Sequence, residues 1–270
     1  MTERIEREEL SRGQLSAGSE PPAPRPAATL VLARDRGADP WEVLLLRRPY
    51  TARFAAGAYV FPGGVIDAAD GDPDLAARLR PDAEGRFGGT EPAALAAALR
   101  ELLEETGLLL ADRDPGPDAV AKLRHALLAG ETDLAAAARR SGLEFRDLRT
   151  AYFARWVTPR RFARRYDTRF FLAVLPPERA SFEPVLTDEL AGHVWLPPAE
   201  AVRRFREGRL PMLFPTRTTL GQLAAHATLD ALFAWCRARR VEPVTPRLLV
   251  RDDLVRPVLP GDPDWDAAAD

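Results

Sequence analysis

Residues 90–107, TEPAALAAALRELLEETG, constrain the fold most, because their pattern fits a helix and little else. Thr90 is a suitable N-cap, proline is tolerated in the first helical turn, and Gly107 is a typical C-terminal stop. Apolar side chains recur three and four residues apart, which predicts one buried helical face. They are Ala94, Leu95, Ala98, Leu99, Leu102 and Leu103.

Short apolar runs, separated by turn-forming residues, predict strands on both sides of this helix. Strands interleaved with helices favour a mixed α/β sandwich over a simple βαβ repeat. The predicted strands cover 27–34, 41–48, 58–64, 151–158, 169–176 and 193–197. Two further helices are predicted at 199–208 and 218–240.

The domain organisation follows from composition along the chain. Residues 1–26 are polar and then proline-rich, which predicts a disordered N-terminal tail. We expect one domain over 27–240, with insertions at about 68–89 and 118–149, and a C-terminal extension over 241–270.

Net charge, hydropathy and cysteine content limit the kinds of partner and metal site that the chain can have. The net charge of −2 does not favour non-specific nucleic-acid binding. No apolar stretch approaches the ~20 residues of a membrane span. Cys236 is the only cysteine, so neither an intramolecular disulfide nor a cysteine-based zinc site can form. We expect a cytoplasmic protein with no nucleic-acid or membrane partner, and leave a homodimer open.

Three carboxylates share one side of the predicted helix. Glu101, Glu104 and Glu105 are spaced i, i+3 and i+4, and Arg100 lies four residues before Glu104. A solvated acidic surface is one interpretation, since repulsion between like charges on an exposed helix face has only a modest cost. The alternative is a hard divalent cation, which prefers oxygen ligands and can activate a bound water. The preceding PGG at 62–64 favours the cation, because glycine lets the backbone approach a metal or phosphate closely.

The FPGG at 61–64 and the RELLEETGL at 100–108 together resemble the signature of the Nudix hydrolase family, G-x5-E-x7-R-E-U-x-E-E-x-G-U, where U is aliphatic. Gly64 matches the first glycine and residues 100–108 match the second half. About 22 extra residues separate the two halves, so the isolated glutamate of the signature is unassigned. Asp67 is the first candidate for its role, and Glu84 and Glu91 are weaker ones.

This resemblance implies a metal site and a role for each matching residue. Arg100 would orient the glutamates, and Glu101 would be either a metal ligand or the base that activates water. Glu189, ahead of a late strand, would supply a further acidic ligand, although a plain loop glutamate is equally compatible with the sequence. The implied ligands of Mg²⁺ or Mn²⁺ are the Gly63 carbonyl, Glu101, Glu104, Glu105 and Glu189.

The interrupted signature is similar to a Nudix subgroup that includes a eukaryotic coenzyme A diphosphatase, and residues 52–70, 156–176 and 194–224 extend the likeness. It implies a Nudix α/β/α sandwich with a mixed sheet, an insertion in the signature and a C-terminal helical extension. It also implies hydrolysis of the diphosphate in coenzyme A or an acyl derivative. Two alternatives stay open: an ADP-ribose or dinucleotide pyrophosphatase, and a non-catalytic nucleotide-sensing regulator.

Two arginine pairs are candidates for holding the phosphates of a small nucleotide substrate, because the guanidinium fork matches phosphate oxygens. Arg47 and Arg48 end a predicted strand before PGG, and Arg160 and Arg161 follow a later strand. For at least one of Arg47 and Arg48, solvent or a carboxylate is the alternative partner.

Overall fold

The central strand, β1 (Arg25–Arg36), grows from the apolar run AATLVLA. The computed structural model describes residues 20–52, 55–79, 91–251 and 254–269. β1 runs parallel to β6 (Tyr166–Val174) and antiparallel to β2 (Asp39–Arg47). Beyond these lie β5 (Thr150–Val157), which pairs with β6, β8 (Pro243–Val244), which pairs with β5, and β7 (Gly192–Leu196), which pairs with β2. The result is a mixed sheet.

The glycine-rich segment lies between β1 and β2. We predicted one strand over 58–64; the structure has β3 (Tyr59–Val60) on β2 and β4 (Gly63–Val65) on β1. The chain changes partner at Pro62, which has no N–H to donate but whose carbonyl accepts from Leu30 N at 2.9 Å. This change of partner brings the two glycines alongside the first residues of β1.

Helices cover both faces of the sheet, which confirms the predicted α/β/α sandwich. One face carries α1 (Pro73–Arg78), α2 (Glu91–Thr106), α3 (Pro117–Leu128) and α4 (Leu134–Ser141). The other carries α5 (Pro198–Arg206), α6 (Phe214–Leu223) and α7 (Leu229–Ala238). Successive β1 side chains alternate between them: Leu30 and Leu32 pack with α2, and Val31 with α5–α7. β1 is therefore apolar on both faces.

The prediction of one helix over 218–240 was wrong, because α6 ends at Leu223 and α7 begins at Leu229. Thr228 is extended and its hydroxyl accepts from Ala231 N at 3.1 Å, which starts a new helix. The His226 carbonyl accepts from Trp41 Nε1 at 3.1 Å, so the break packs onto β2. A capping threonine inside an apolar pattern was the overlooked signal.

The two predicted insertions contact each other. Leu75 and Leu79 of the first are buried, and Phe145 N of the second donates to Arg78 O at 3.0 Å. Arg139 and Asp72 add an ion pair at 2.7 Å. The insertions thus pack together on the face of the sheet that carries α2.

The chain ends differ in part from expectation. Residues 1–19 of the predicted tail, Thr90, Glu84 and the side chain of Glu91 lie outside what the structure describes. The tail as predicted reaches residue 26, whereas β1 already begins at Arg25. In the C-terminal extension, β9 (Arg247–Arg251) and β10 (Leu254–Val258) form an antiparallel pair that we did not predict. Within the described ranges, no helix is both long and apolar enough to span a bilayer.

Candidate active site

The last two turns of α2 lie against β4. Gly63 N donates to Glu105 Oε2 at 3.1 Å. At Gly64, a Cβ would lie only 2.2 Å from Glu101 Oε1, so the carboxylate occupies the space that a side chain would fill. The structure therefore brings the glycine backbone and two of the three predicted carboxylates into direct contact.

Arg100 is the centre of the hydrogen-bond network. Its Nη1 donates to Glu101 Oε1 at 2.9 Å and to Glu104 Oε2 at 3.1 Å. Its Nε and Nη2 each donate to Asp70 at 3.0 Å, and Nη2 also donates to Val65 O at 2.9 Å. Together these five contacts match the five N–H groups of a guanidinium, so the side chain is fixed relative to both glutamates.

Asp70 is the buried acidic residue next to the site that the sequence analysis missed. It is 2% exposed, sits in a 3₁₀ turn (Ala68–Gly71), and accepts from Asp67 N at 2.8 Å as well as from Arg100. Counting the signature from Gly64 would have found it, because five residues then an acid, G-x5-E, lead to position 70. Asp67, our first candidate, has a side chain 67% exposed and lies 3.6 Å from Arg100. The extra residues therefore follow the first half of the signature rather than displacing its acid.

Burial disfavours the ionised form of the three carboxylates. Desolvation, with a smaller contribution from the charge of Glu104, raises the pKa of Glu101 to about 7 although Arg100 opposes it. Desolvation, then the charge of Glu101, raises the pKa of Glu105 to about 8. Desolvation also raises the pKa of Glu104. Buried acids held this way favour any added positive charge.

The donor set fits a hard divalent cation. All three side chains offer oxygen, which Mg²⁺ and Mn²⁺ prefer. The residues that the structure describes contain no ready-made cluster of three or more His, Cys, Asp or Glu side chains for a metal. The carboxylates are held by separate donors, Glu101 and Glu104 by Arg100 and Glu105 by Gly63 N, which accounts for their spread. A cation would have to draw them together.

We expect Mg²⁺ to stabilise the folded chain more at high pH than at low pH. The raised pKa values of Glu101 and Glu105 mean that the folded state keeps protons that an ordinary glutamate, with a pKa of 4.5, has released. Without added metal, the contribution of these two groups to the free energy of unfolding therefore falls as pH rises from about 4.5 to about 8, and a cation on the ionised carboxylates opposes that loss. The measurement is Tm with Mg²⁺ against Tm with EDTA, at about pH 6 and about pH 8.5. A gain that is equal or smaller at the higher pH would contradict metal binding here.

Arg47 and Arg48 fall on opposite faces of the sheet. Arg47 stacks on Tyr50, with its Cζ 4.5 Å from the ring centroid, and its Nη2 hydrogen-bonds the Tyr50 hydroxyl. Arg48 follows Leu46 on the face of α2, where its charge lowers the pKa of Glu105 against the larger effect of burial. Of the two, Arg48 is the one close to the carboxylates.

The remaining candidates are placed less closely. Glu189 is exposed in a turn anchored by Ala191 N donating to Arg47 O at 2.8 Å, and its charge contributes to the raised pKa of Glu105, after burial and Glu101. Its role as a metal ligand remains a prediction. Arg160 and Arg161 are exposed between β5 and β6. Their phosphate-binding role remains a prediction.

Gly64→Ala is expected to impair turnover far more than folding. The added methyl would displace the Glu101 carboxylate, whereas the backbone there is not in the left-handed region that requires glycine. We expect kcat to fall about 10²-fold, since displacement by 1 Å or so costs that much, with Tm changed by only a few degrees. Gly71→Ala is the control, because a Cβ at Gly71 meets nothing within 4 Å. Equal kcat for the two variants would contradict the proposed contact.

Comparison with known proteins finds a solved Nudix hydrolase structure and curated acyl-coenzyme A diphosphatases that are similar to this chain. No family model matches the sequence. A crystal structure of a Nudix hydrolase from Alicyclobacillus acidocaldarius is 35% identical, covers 78% of this chain and 96% of its own, and superimposes with a TM-score of 0.67. Human acyl-coenzyme A diphosphatase NUDT19 is 29% identical over 88% of this chain and 76% of its own length. The chicken protein of the same name is 28% identical over 82% and 72%.

Proposed function

Because the chain belongs to the Nudix hydrolase family, and is thus an enzyme that hydrolyses phosphorus-containing acid anhydrides, we propose that its substrate is coenzyme A or an acyl derivative. Water would attack a phosphorus atom of the diphosphate and the bridging P–O bond would break. One water is consumed, a proton passes to the site, and the products are a phosphopantetheine, acylated or not, and adenosine 3′,5′-bisphosphate.

The observation that carries the substrate class is the similarity to acyl-coenzyme A diphosphatases along 88% of the chain. That span includes more than the signature, so it also takes in regions that would contact substrate. The substrate is a polyanion, and Arg48 offers a positive charge on the same face as the glutamates. We propose Arg48 as the first phosphate contact, with Arg47, Arg160 and Arg161 as further candidates.

The residues of the site would divide the work as follows. Glu101, Glu104, Glu105 and the Gly63 carbonyl would hold Mg²⁺ or Mn²⁺, with Glu189 as a further ligand. When bound, such a cation neutralises phosphate charge and makes a coordinated water more acidic. Glu101 would serve either as one of these ligands or, from outside the coordination shell, as the base that takes the proton of the attacking water. Asp70 would hold Arg100, and Arg100 would hold Glu101 and Glu104 in place.

A substrate panel tests this proposal. The purified chain is incubated with Mg²⁺ or Mn²⁺ and coenzyme A, acetyl-coenzyme A, a long-chain acyl-coenzyme A, ADP-ribose, NADH or a diadenosine polyphosphate, and the products are resolved by ion-exchange chromatography. We expect adenosine 3′,5′-bisphosphate from the coenzyme A compounds, with kcat/KM at least about tenfold above the other substrates, a difference of about 1.4 kcal/mol.

Each other outcome has its own meaning. Preference for ADP-ribose or a dinucleotide would keep the reaction and refute the coenzyme A substrate. Tight binding of a nucleotide without turnover, measured by calorimetry, would replace the proposal with a nucleotide-sensing role. Glu104→Gln run in parallel identifies any cleavage that comes from a contaminating phosphatase.

A further inference from the structure

The catalytic helix α2 ends with the wrong charges for a helix C-terminus. Its carbonyl end carries partial negative charge, which cations stabilise and carboxylates oppose. Glu104 and Glu105 lie in the last turn, and that turn contains no basic residue. Two of the three candidate metal ligands therefore lie where the helix dipole disfavours negative charge.

The last carbonyls of α2 accept hydrogen bonds from donors outside the helix as well as from within it. Four acceptors have identified donors, as a helix end requires. Glu104 O accepts from Arg124 Nε at 3.0 Å, and this bond is the one that comes from a charged side chain. The others are Leu102 O from Thr106 Oγ1 at 2.6 Å, Leu103 O from Gly107 N at 2.9 Å, and Thr106 O from Val185 N at 2.9 Å.

Arg124 belongs to α3, in the second insertion and outside the family signature. Its Nη1 lies 3.3 Å from where a Cβ at Gly107 would stand, so glycine at this position leaves room for the guanidinium. Its Nη2 is buried and has no hydrogen-bond partner among the described residues. A half-buried cation with an unused donor is unfavourable for stability alone, which points to a role in the site.

We propose that Arg124 is a positioning residue: through its hydrogen bond to the Glu104 carbonyl and its charge at the end of α2, it fixes the turn that presents Glu104 and Glu105. The second insertion is then part of the active-site architecture. Among the described residues, the side-chain hydrogen bond of Arg124 goes to the Glu104 backbone carbonyl and not to a carboxylate. Its effect passes through the backbone of Glu104, while Arg100 holds the Glu104 side chain from the other direction.

The test compares Arg124→Met, which keeps the apolar stem of the side chain but loses the charge and the N–H donors, with Arg124→Lys, which keeps a charge and a donor in a different shape. Lys122→Met is the matched control, because Lys122 is an exposed cation on the same helix. Three quantities are measured at a temperature well below every Tm: kcat and KM on coenzyme A, and the Kd of Mg²⁺ by calorimetry without substrate.

For Arg124→Met we expect kcat to fall and the Kd of Mg²⁺ to rise about 10–100-fold, as for other groups that orient metal ligands. The KM for substrate should stay within about twofold, since the proposal has Arg124 act on the metal ligands and not on the substrate. Arg124→Lys should recover most of both losses, and Lys122→Met should match the wild type.

The opposite result would be a lowered Tm with kcat and the Kd of Mg²⁺ unchanged, which would make Arg124 a purely structural residue. If Arg124→Met does not fold, Arg124→Gln takes its place, and wild-type values for that variant would overturn the proposal. The kinetic readout rests on the proposed function, whereas the Mg²⁺ titration does not. A wild type that binds Mg²⁺ but leaves coenzyme A intact refutes the substrate and leaves the Arg124 comparison interpretable.

Discussion

Glu104→Gln is expected to reduce kcat by at least about 10³-fold, the upper range for loss of one preorganised electrostatic group, while the chain still folds. Glutamine has the same shape, and its amide oxygen can still accept from Arg100 Nη1, which lies 3.1 Å from Glu104 Oε2. The substitution removes one negative charge from the cluster that would hold the cation. We therefore expect kcat to fall while the packing of the folded chain is unchanged.

Thermal stability should change in the opposite direction to activity in this variant when metal is absent. Burial raises the pKa of Glu104, so its ionised form is disfavoured in the folded chain without metal. A neutral glutamine does not carry this penalty, and we expect Tm in EDTA to equal or exceed that of the wild type, as is common where function opposes stability. In Mg²⁺ the order should reverse, because the variant binds the cation less tightly.

The measurements are kcat by single-turnover product analysis and Tm with and without Mg²⁺. Glu207→Gln is the control, since Glu207 pairs with Arg203 and Arg209 on the exposed side of α5 and its neighbouring loop. Near-normal kcat for Glu104→Gln would refute its place among the metal ligands, and an equal loss in Glu207→Gln would indicate a general effect of charge.

The helix α2 could be predicted from sequence because its determinants are local. Its apolar face repeats at the helical period, and Gly107, with φ of 74°, ends it in the left-handed conformation that glycine favours. The placement of Glu101, Glu104 and Glu105 on one side of this helix follows from the same period. The apolar strands β1 and β2 were also evident, since each is buried on both faces.

Contacts between distant segments could not be predicted in this way. The bond between Arg124 and the Glu104 carbonyl depends on how the second insertion folds back, and no spacing in the sequence encodes it. The split of 58–64 into β3 and β4 depends on competition between β1 and β2 for the same backbone. Asp70 is a different case, because its spacing from Gly64 is visible in the sequence, whereas the long gap before Arg100 favoured Asp67, Glu84 and Glu91 as candidates.

Asp70→Asn is expected to lower the free energy of unfolding by about 3 kcal/mol, the lower end of the usual cost of breaking a buried ion pair, because Arg100 keeps Glu101 and Glu104 as partners. The Arg100 side chain is 9% exposed. Among its ion-pair partners in the described part of the chain, Asp70 alone accepts from two of its nitrogens with both carboxylate oxygens, and Asp70 is also the most buried of them, at 2% exposed. Without that charge, Arg100 would rely on Glu101 and Glu104 and move towards them. Its guanidinium would then compete with a cation for the same carboxylates, so kcat should fall together with stability.

Asp67→Asn provides a matched control that also discriminates between the two acids. Asp67 carries the same charge, three residues away and 3.6 Å from the same arginine, but its side chain is 67% exposed and water screens it. We expect Asp67→Asn to change the free energy of unfolding by less than about 1 kcal/mol. Urea unfolding of both variants, with the Kd of Mg²⁺ measured on the folded fraction, gives the comparison. A larger loss in Asp67→Asn would return the role of the signature's isolated acid to Asp67, whereas the expected order assigns it to Asp70 and makes Arg100 the link between that acid and the metal-binding glutamates.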